Sequence, residues 1–294
     1  MAGKPKKPPT QQELAARYGY AMNFFASNSE LSKLLEKAKK QNWDVANFQA
    51  AIRNTKWWKQ RSETQRNYDI LAAQNPAEKE RQVAARMATL KEQAAALGIN
   101  ATQTWLLKTA QTMVRNGATE DEVQATLAAT WHNQYLAEGK NKSLADEKGG
   151  AASTIGQLKA TAAQYGYPLG DDTLAKQTLS VLNGTADVNA IAETYKAWAK
   201  KQFSAFADDI DAGQTVQDIL DPYAQIASQE LGIPKGQMLA TDPKWQAALT
   251  AGLTLPDWRT KVRTDSQYGW DSSEAAQSQA YQMVAGLQSM FQGG

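Results

Sequence analysis

Apolar residues recur along this chain at helical spacing. Segments such as SELSKLLEKAKK, ARMATLKEQAAA, QTWLLKTAQTMV and DDTLAKQTLSVL place Leu, Ala, Val or Met on one side, with Lys, Glu, Gln and Thr between them. This is the pattern of a helix that buries one stripe. The alternating Val, Ile and Thr runs of half-buried strands are missing, while Ala, Gln, Lys, Glu and Leu dominate, and these favour helix. Helix starts are predicted at Asn75-Pro76, Asp221-Pro222 and Asp242-Pro243, where a good N-cap precedes a proline suited to the first helical position.

A short signature interrupts the helical pattern four times: Tyr18-Gly19-Tyr20, Leu97-Gly98-Ile99, Tyr165-Gly166-Tyr167 and Leu231-Gly232-Ile233. Each glycine reads as a C-cap in the left-handed region, with the next residue folding back on the last turn. A second helical segment follows each cap, and turn residues such as Asn116-Gly117 and Asn183-Gly184 come next. A third segment carries an aliphatic anchor and ends on an aromatic. The anchors Ile52, Leu127, Ile191 and Val262 lie 75, 64 and 71 residues apart. Thr stands three residues beyond the anchor in the first three copies, as Thr55, Thr130 and Thr194, and Asp265 in the fourth. A polar oxygen there suits the cap of a following helix. A long helix is expected next in the first three copies, as in WWKQRSETQRNYDILAAQ and YKAWAKKQFSAFADDI.

The expected fold is all-α, with about four degenerate helical repeats of roughly 65–80 residues packed as a bundle or short solenoid. Residues 1–12 form a basic, Pro-rich arm expected to be disordered alone. Repeat one spans 13–96 with its connecting helix, repeat two 97–150, repeat three 151–230, and repeat four 231–294 with a C-terminal capping helix, SSEAAQSQAYQMVAGLQSMF.

Composition narrows the possible chemistry. The 294 residues are 42% hydrophobic and 21% charged, and no apolar run has the length of a membrane span. The basic start MAGKPKKPPT has no apolar stretch behind it, so no secretory signal is expected. Cysteine is absent, which excludes disulfides and thiolate chemistry. The net charge of +2 is unevenly spread. Residues 1–97 carry 17 Lys/Arg against 9 Asp/Glu, and residues 98–294 carry 15 against 21. A chain so divided can stack head to tail with its copies, or show composition drift on solvated faces.

No catalytic constellation emerges. The single histidine, His132, reads as a solvated helix residue, since no motif supplies a nucleophile or an orienting acid. The acidic stretch Asp208-Asp209-Ile210-Asp211-Ala212-Gly213 fits a calcium loop in neither register, because Ile210 and Ala212, or Leu220, occupy ligand positions. It reads as a helix end and turn. Phosphate loops and nucleophile elbows are missing. Catalytic residues, metal ligands, cofactors and a small-molecule substrate are therefore not expected.

Nine tryptophans are many for this length. Most are read as core between helices, and some as interface anchors. Trp57-Trp58-Lys59-Gln60-Arg61 suits the anchor reading best, because adjacent helical residues point about 100° apart and cannot share one core stripe. The candidate interface is Trp57, Trp58, Arg61 and Arg66, with Trp58 set against a partner. Lys4, Lys6 and Lys7 form a candidate basic docking arm, smaller than the footprint of a specific nucleic-acid binder.

The segment FQAAIRNTKWWKQRSETQRNYDILAAQNPAE resembles virion-associated proteins of tailed bacteriophages that infect actinobacteria, of the minor tail or internal virion type. Ile52-Arg53-Asn54-Thr55-Lys56-Trp57-Trp58, Ser62, Arg66 and Asn75-Pro76-Ala77 carry the resemblance. The stretch TLPDWRTKVRTDSQYGWDSSEAAQSQAYQMV is similar to the ends of such proteins. The resemblance implies a non-enzymatic structural or assembly role in the virion: tail, head–tail junction or interior. The protein would reside in the host cytoplasm during assembly. Its partners would be other virion proteins, or copies of itself in a ring or stack. Two other readings are a monomeric helical adaptor or cell-wall-binding module, and a tail-associated peptidoglycan-cleaving enzyme, although the motifs of an attached wall-hydrolase domain are missing.

Overall fold

Polar caps and left-handed turns set many of the helix boundaries. The computed structural model describes residues 9–138 and 147–292. Over these the chain is helical, without strands, and it divides into two units, with the boundary between Gln134 and Tyr135. No helix among the described residues is long and apolar enough to cross a membrane.

The first unit contains α1 (Gln11–Arg17), α2 (Met22–Ala26), α3 (Ser29–Lys40), α4 (Val45–Arg53), α5 (Lys56–Lys59), α6 (Glu63–Gln74), α7 (Pro76–Leu97), α8 (Gln103–Asn116) and most of α9 (Glu120–Glu138). Its leading helices close over Leu14, Phe24, Phe25, Leu31, Leu35, Phe48, Ile52 and Trp57. Tyr18 stacks on Phe48 at 4.0 Å between centroids, and its hydroxyl donates to the Trp43 carbonyl at 2.9 Å. Helix α6 packs on α2, α7 and α8.

The second unit contains α10 (Gly149–Gln164), α11 (Asp171–Leu182), α12 (Val188–Gln202), α13 (Ala207–Asp211), α14 (Val216–Leu231), α15 (Pro243–Thr250), α16 (Leu255–Thr264) and α17 (Glu274–Gln292). Helix α10 packs on α11 and α12, and α14 on α15, α16 and the beginning of α17. Phe203, Ile210, Leu220, Tyr223, Trp245, Trp258, Val262 and Tyr268 fill this core. Trp258 is fully buried, and its Nε1–H donates to the Tyr223 carbonyl at 2.9 Å, so the ring leaves no polar atom unpaired.

A left-handed glycine follows α1, α7, α10 and α14, at Gly19, Gly98, Gly166 and Gly232, with the same back-bond at three of them. After α1, α7 and α10, the residue beyond a left-handed glycine donates its N–H back to an alanine carbonyl: Tyr20 to Ala15, Ile99 to Ala94 and Tyr167 to Ala162, at 2.8–3.0 Å. After α14, Gly232 itself donates to Ser228 at 2.9 Å, a simpler left-handed cap. A second left-handed turn ends α3, α8, α11 and α15, at Asn42, Gly117, Gly184 and Gly252, with the short α2 intervening in the first set only. There the bonds Trp43 to Ala38, Ala118 to Met113, Thr185 to Ser180 and Leu253 to Ala248 are all 3.0 Å. Polar residues Asp44, Thr119, Asp187 and Thr254 then cap the third helices. The residues four and eight places after each cap are buried: Phe48 and Ile52, Val123 and Leu127, Ile191 and Tyr195, Trp258 and Val262.

Several local expectations are corrected. In the third set Tyr195, not Ile191, holds the position of Ile52, Leu127 and Val262. Thr55 and Asp265 do cap the helical turns beyond them. Thr130 and Thr194 instead sit inside α9 and α12, with their hydroxyls on the Thr126 and Ile191 carbonyls, so they carry no register. The long helix expected after Trp57 is broken into α5 and α6, because Ser62 and Gln65 form a capping box that starts a new helix. The one expected after Tyr195 breaks at Phe203, which leaves helical geometry and buries its ring completely. Pro222 lies inside α14 rather than at its start, because the capping box of Thr215 and Asp218 begins that helix earlier. The expected arm at 1–12 overlaps α1, which begins at Gln11 behind Thr10.

Candidate functional site

Helix α5 is a single turn that would not persist alone, and its neighbours hold both its ends. At its start, the Thr55 hydroxyl accepts from the Trp58 N–H at 3.1 Å. The carboxylate of Glu30, on α3, accepts from the N–H groups of Lys56 and Trp57 at 2.9 and 3.1 Å. The Lys56 N–H, with that of Trp57 and the Lys56 charge, holds the Glu30 carboxyl below the ordinary glutamate range. At its end, two guanidinium groups cover the free carbonyls. Arg61 Nη1 donates to the Trp57 carbonyl at 3.2 Å, and Arg66 Nη1 donates to those of Trp58 and Arg61 at 3.1 and 2.5 Å.

This joint sorts the adjacent tryptophans. Trp57 turns inward, buried edge-on against Phe24 at 4.9 Å between centroids. Trp58 is half-buried at the margin of the same core, and the Arg66 guanidinium lies 4.3 Å over its ring. A cation at that distance gains from the ring's negative face. Trp58 is thus partly covered by its own chain.

Arg61 has a second role. Its Nε donates to Asp69 Oδ2 at 2.9 Å, while its guanidinium stands 5.5 Å from the Trp57 ring centre. Arg115, from α8, brings its Nε to 3.4 Å of Asp69 Oδ1 without forming a hydrogen bond. Around this trio opens a cleft of about 410 Å³. Its lining combines the apolar side chains of Phe24, Trp57, Ala72 and Ala73 with the polar ones of Asn23, Ser27, Asn28, Arg61, Asp69 and Arg115. The volume falls in the range of small ligand pockets.

Of the four interface candidates, Trp57 and Arg61 line the cleft, while Trp58 and Arg66 pair with each other elsewhere on the same joint. Lys4, Lys6 and Lys7 lie outside the described residues. Sequence reasoning missed Glu30, Asp69 and Arg115. Asp69 lies eight residues past Arg61, which itself sits in the break between α5 and α6, so helical spacing did not mark it. Arg115 reaches the site only through the packing of α6 on α8.

The other singled-out features read as structure. His132 is half-buried beside Trp131 rather than solvated. Asp211 closes α13 and pairs with Lys200 at 2.5 Å, and Ile210 beside it is fully buried. No group of three His, Asp or Glu side chains among the described residues is arranged to hold a metal ion. Trp57, Trp131, Trp245 and Trp258 are buried, and the other five tryptophans are half-buried. The cleft offers a bound group two guanidinium groups, a carboxylate and the Trp57 ring. No family model, curated protein or solved structure matches this chain.

Proposed function

We propose that this chain is a non-enzymatic structural and assembly protein of a bacteriophage virion. The observation that carries the reading is the far part of α17. Tyr281, Met283, Val284 and Leu287 are 76, 62, 52 and 55% exposed, and no charged residue occurs beyond Glu274 in that helix. Neighbouring apolar side chains left exposed on one helix mark a surface meant for another protein. The resemblance to minor tail and internal virion proteins supplies the setting, because its second segment runs into this helix.

The four sets of helix, left-handed turn, helix, left-handed turn and helix are, in this reading, copies of one unit. The first turns of α17 cap the last set, and the rest of α17 docks on a neighbouring virion protein. Mass spectrometry of purified particles made from the encoding genome tests this. The chain should co-purify at a fixed ratio to the major particle proteins, and a Val284→Asp/Leu287→Asp variant with unchanged Tm should drop out. A chain missing from particles, or one that clears peptidoglycan in a zymogram, sinks the proposal.

A further inference from the structure

The cleft at the α5–α6 joint is charged in an unusual proportion: two guanidinium groups converge on one carboxylate. Asp69 accepts a hydrogen bond from Arg61. Arg115 keeps an enclosed Nε with no hydrogen-bond acceptor among the described residues, its approach to Asp69 being an ion pair only. The Arg115 side chain as a whole is 42% exposed, so its planar fork of donors remains within reach of a ligand. The same cleft is lined by Phe24, Trp57 and two alanines.

We propose that this cleft binds a carboxylate side chain, a Glu or Asp, presented by a partner protein. Three features select that ligand. First, Arg61, Arg115 and Asp69 together carry a net charge of one positive unit, which a single carboxylate neutralises. A phosphate with more than one negative charge meets repulsion from Asp69. Second, the planar fork matches a planar carboxylate in two parallel bonds. Third, the Trp57 wall accepts the methylenes of an acidic side chain while its head stays on the arginines. The surrounding chain is suited to acidic partners, since residues 1–97 hold 17 Lys/Arg against 9 Asp/Glu. The identity of the partner as a virion component rests on the assembly reading; the chemistry of the cleft does not.

The test uses the full chain labelled with fluorotryptophan, with the Trp57 fluorine signal assigned from a Trp57→Phe control. The probe is N-acetyl-glutamate N-methylamide, compared with its glutamine analogue and with inorganic phosphate. The glutamate probe should shift the Trp57 signal saturably with a Kd of roughly millimolar order, as one charge-assisted fork allows. The glutamine analogue should not. Arg115→Ala should weaken binding by about tenfold or more. Asp69→Asn keeps the shape and releases both guanidinium groups, so it should tighten binding several-fold. A merely structural Asp69 would loosen it instead. Tighter binding of phosphate than of the glutamate probe, no saturable shift with any probe, or weaker binding in Asp69→Asn overturns the inference. Failure here with particle incorporation intact removes only the cleft's role. Binding here by a chain missing from particles removes only the virion setting.

Discussion

Two glutamates tie distant helices together in this protein, one in each unit, and they do so under opposite conditions. Glu30 in the first unit reaches from α3 to the start of α5 and accepts two backbone N–H groups while only half-buried, with water still in reach. Glu230 in the second unit has a side chain only 8% exposed. It accepts from Arg263 Nε and Nη2 at 2.8 and 2.9 Å and from Trp270 Nε1 at 3.3 Å, with Arg259 Nε at 3.2 Å. The bonds are alike in length. What differs is whether water can replace the carboxylate once it is gone.

The glycine caps repeat the contrast. Gly19 and Gly166 both hold the left-handed conformation, at φ +84° and +63°. A Cβ on Gly19 would meet open space, whereas one on Gly166 would lie 2.6 Å from the Ala240 carbonyl oxygen. Both carbonyls accept a long-range side-chain bond at 2.8 Å, Gly19 from Gln74 Nε2 and Gly166 from Gln246 Nε2. The same local device leaves room for a side chain in the first unit and is closed by a backbone carbonyl in the second.

The largest expected effect comes from breaking the enclosed clamp. Glu230→Ala should lower stability by about 3 kcal/mol, because two arginines and an indole N–H lose their acceptor together. The arginines are 42 and 49% exposed, so water recovers part of the loss and keeps it below the extreme for buried pairs. Urea unfolding measures this. A loss under about 1 kcal/mol, the size of an ordinary surface change, would mean that Glu230 does not clamp these groups.

Next in size is the pair of glycine caps. Gly19→Ala should cost about 1 kcal/mol, the strain of a Cβ in the left-handed region. Gly166→Ala should cost about 2–3 kcal/mol, since a backbone carbonyl must also move. Equal Tm shifts for the two variants would show that the Ala240 contact relaxes freely and would erase the contrast between the units.

How much of this was legible in the sequence depends on which interactions are local. The helices, the four glycine-capped ends and the breaks at Asn75-Pro76 and Asp242-Pro243 depend on neighbours within one turn, and they could be read. Asn42 could have been: it is the one non-glycine residue with positive φ among those described, a conformation asparagine tolerates, but a search for Gly passes over it. Tyr195 was hidden because Thr194 imitates the spacing of Thr55, while its hydroxyl merely returns to its own helix. At the candidate site, the segment with Trp57 and Arg61 stood out because the adjacent Trp57 and Trp58 could not share one core stripe. Glu30 and Arg115 did not, since their partners lie 26 and 46 residues away in sequence, and no local pattern encodes such a meeting.

The smallest effect tests the solvated member of the pair. Glu30→Gln keeps an acceptor oxygen but loses the charge that favours the start of α5, and should cost about 0.5–1 kcal/mol, the worth of a helix cap. The acid response gives the finer reading. Because the folded Glu30 carboxyl titrates below its ordinary value of 4.5, the stability it adds is fully present above that value and is lost as pH falls through the lower, folded one. Hydrogen exchange of the Lys56 and Trp57 amides, corrected for intrinsic rates, should therefore accelerate in the wild type as pH drops below about 4.5. In Glu30→Gln it should be faster at neutral pH and lack that step. If the step survives in the variant, another carboxylate governs α5, and the pairing of Glu30 with Glu230 as solvated and enclosed versions of one device fails at its solvated end.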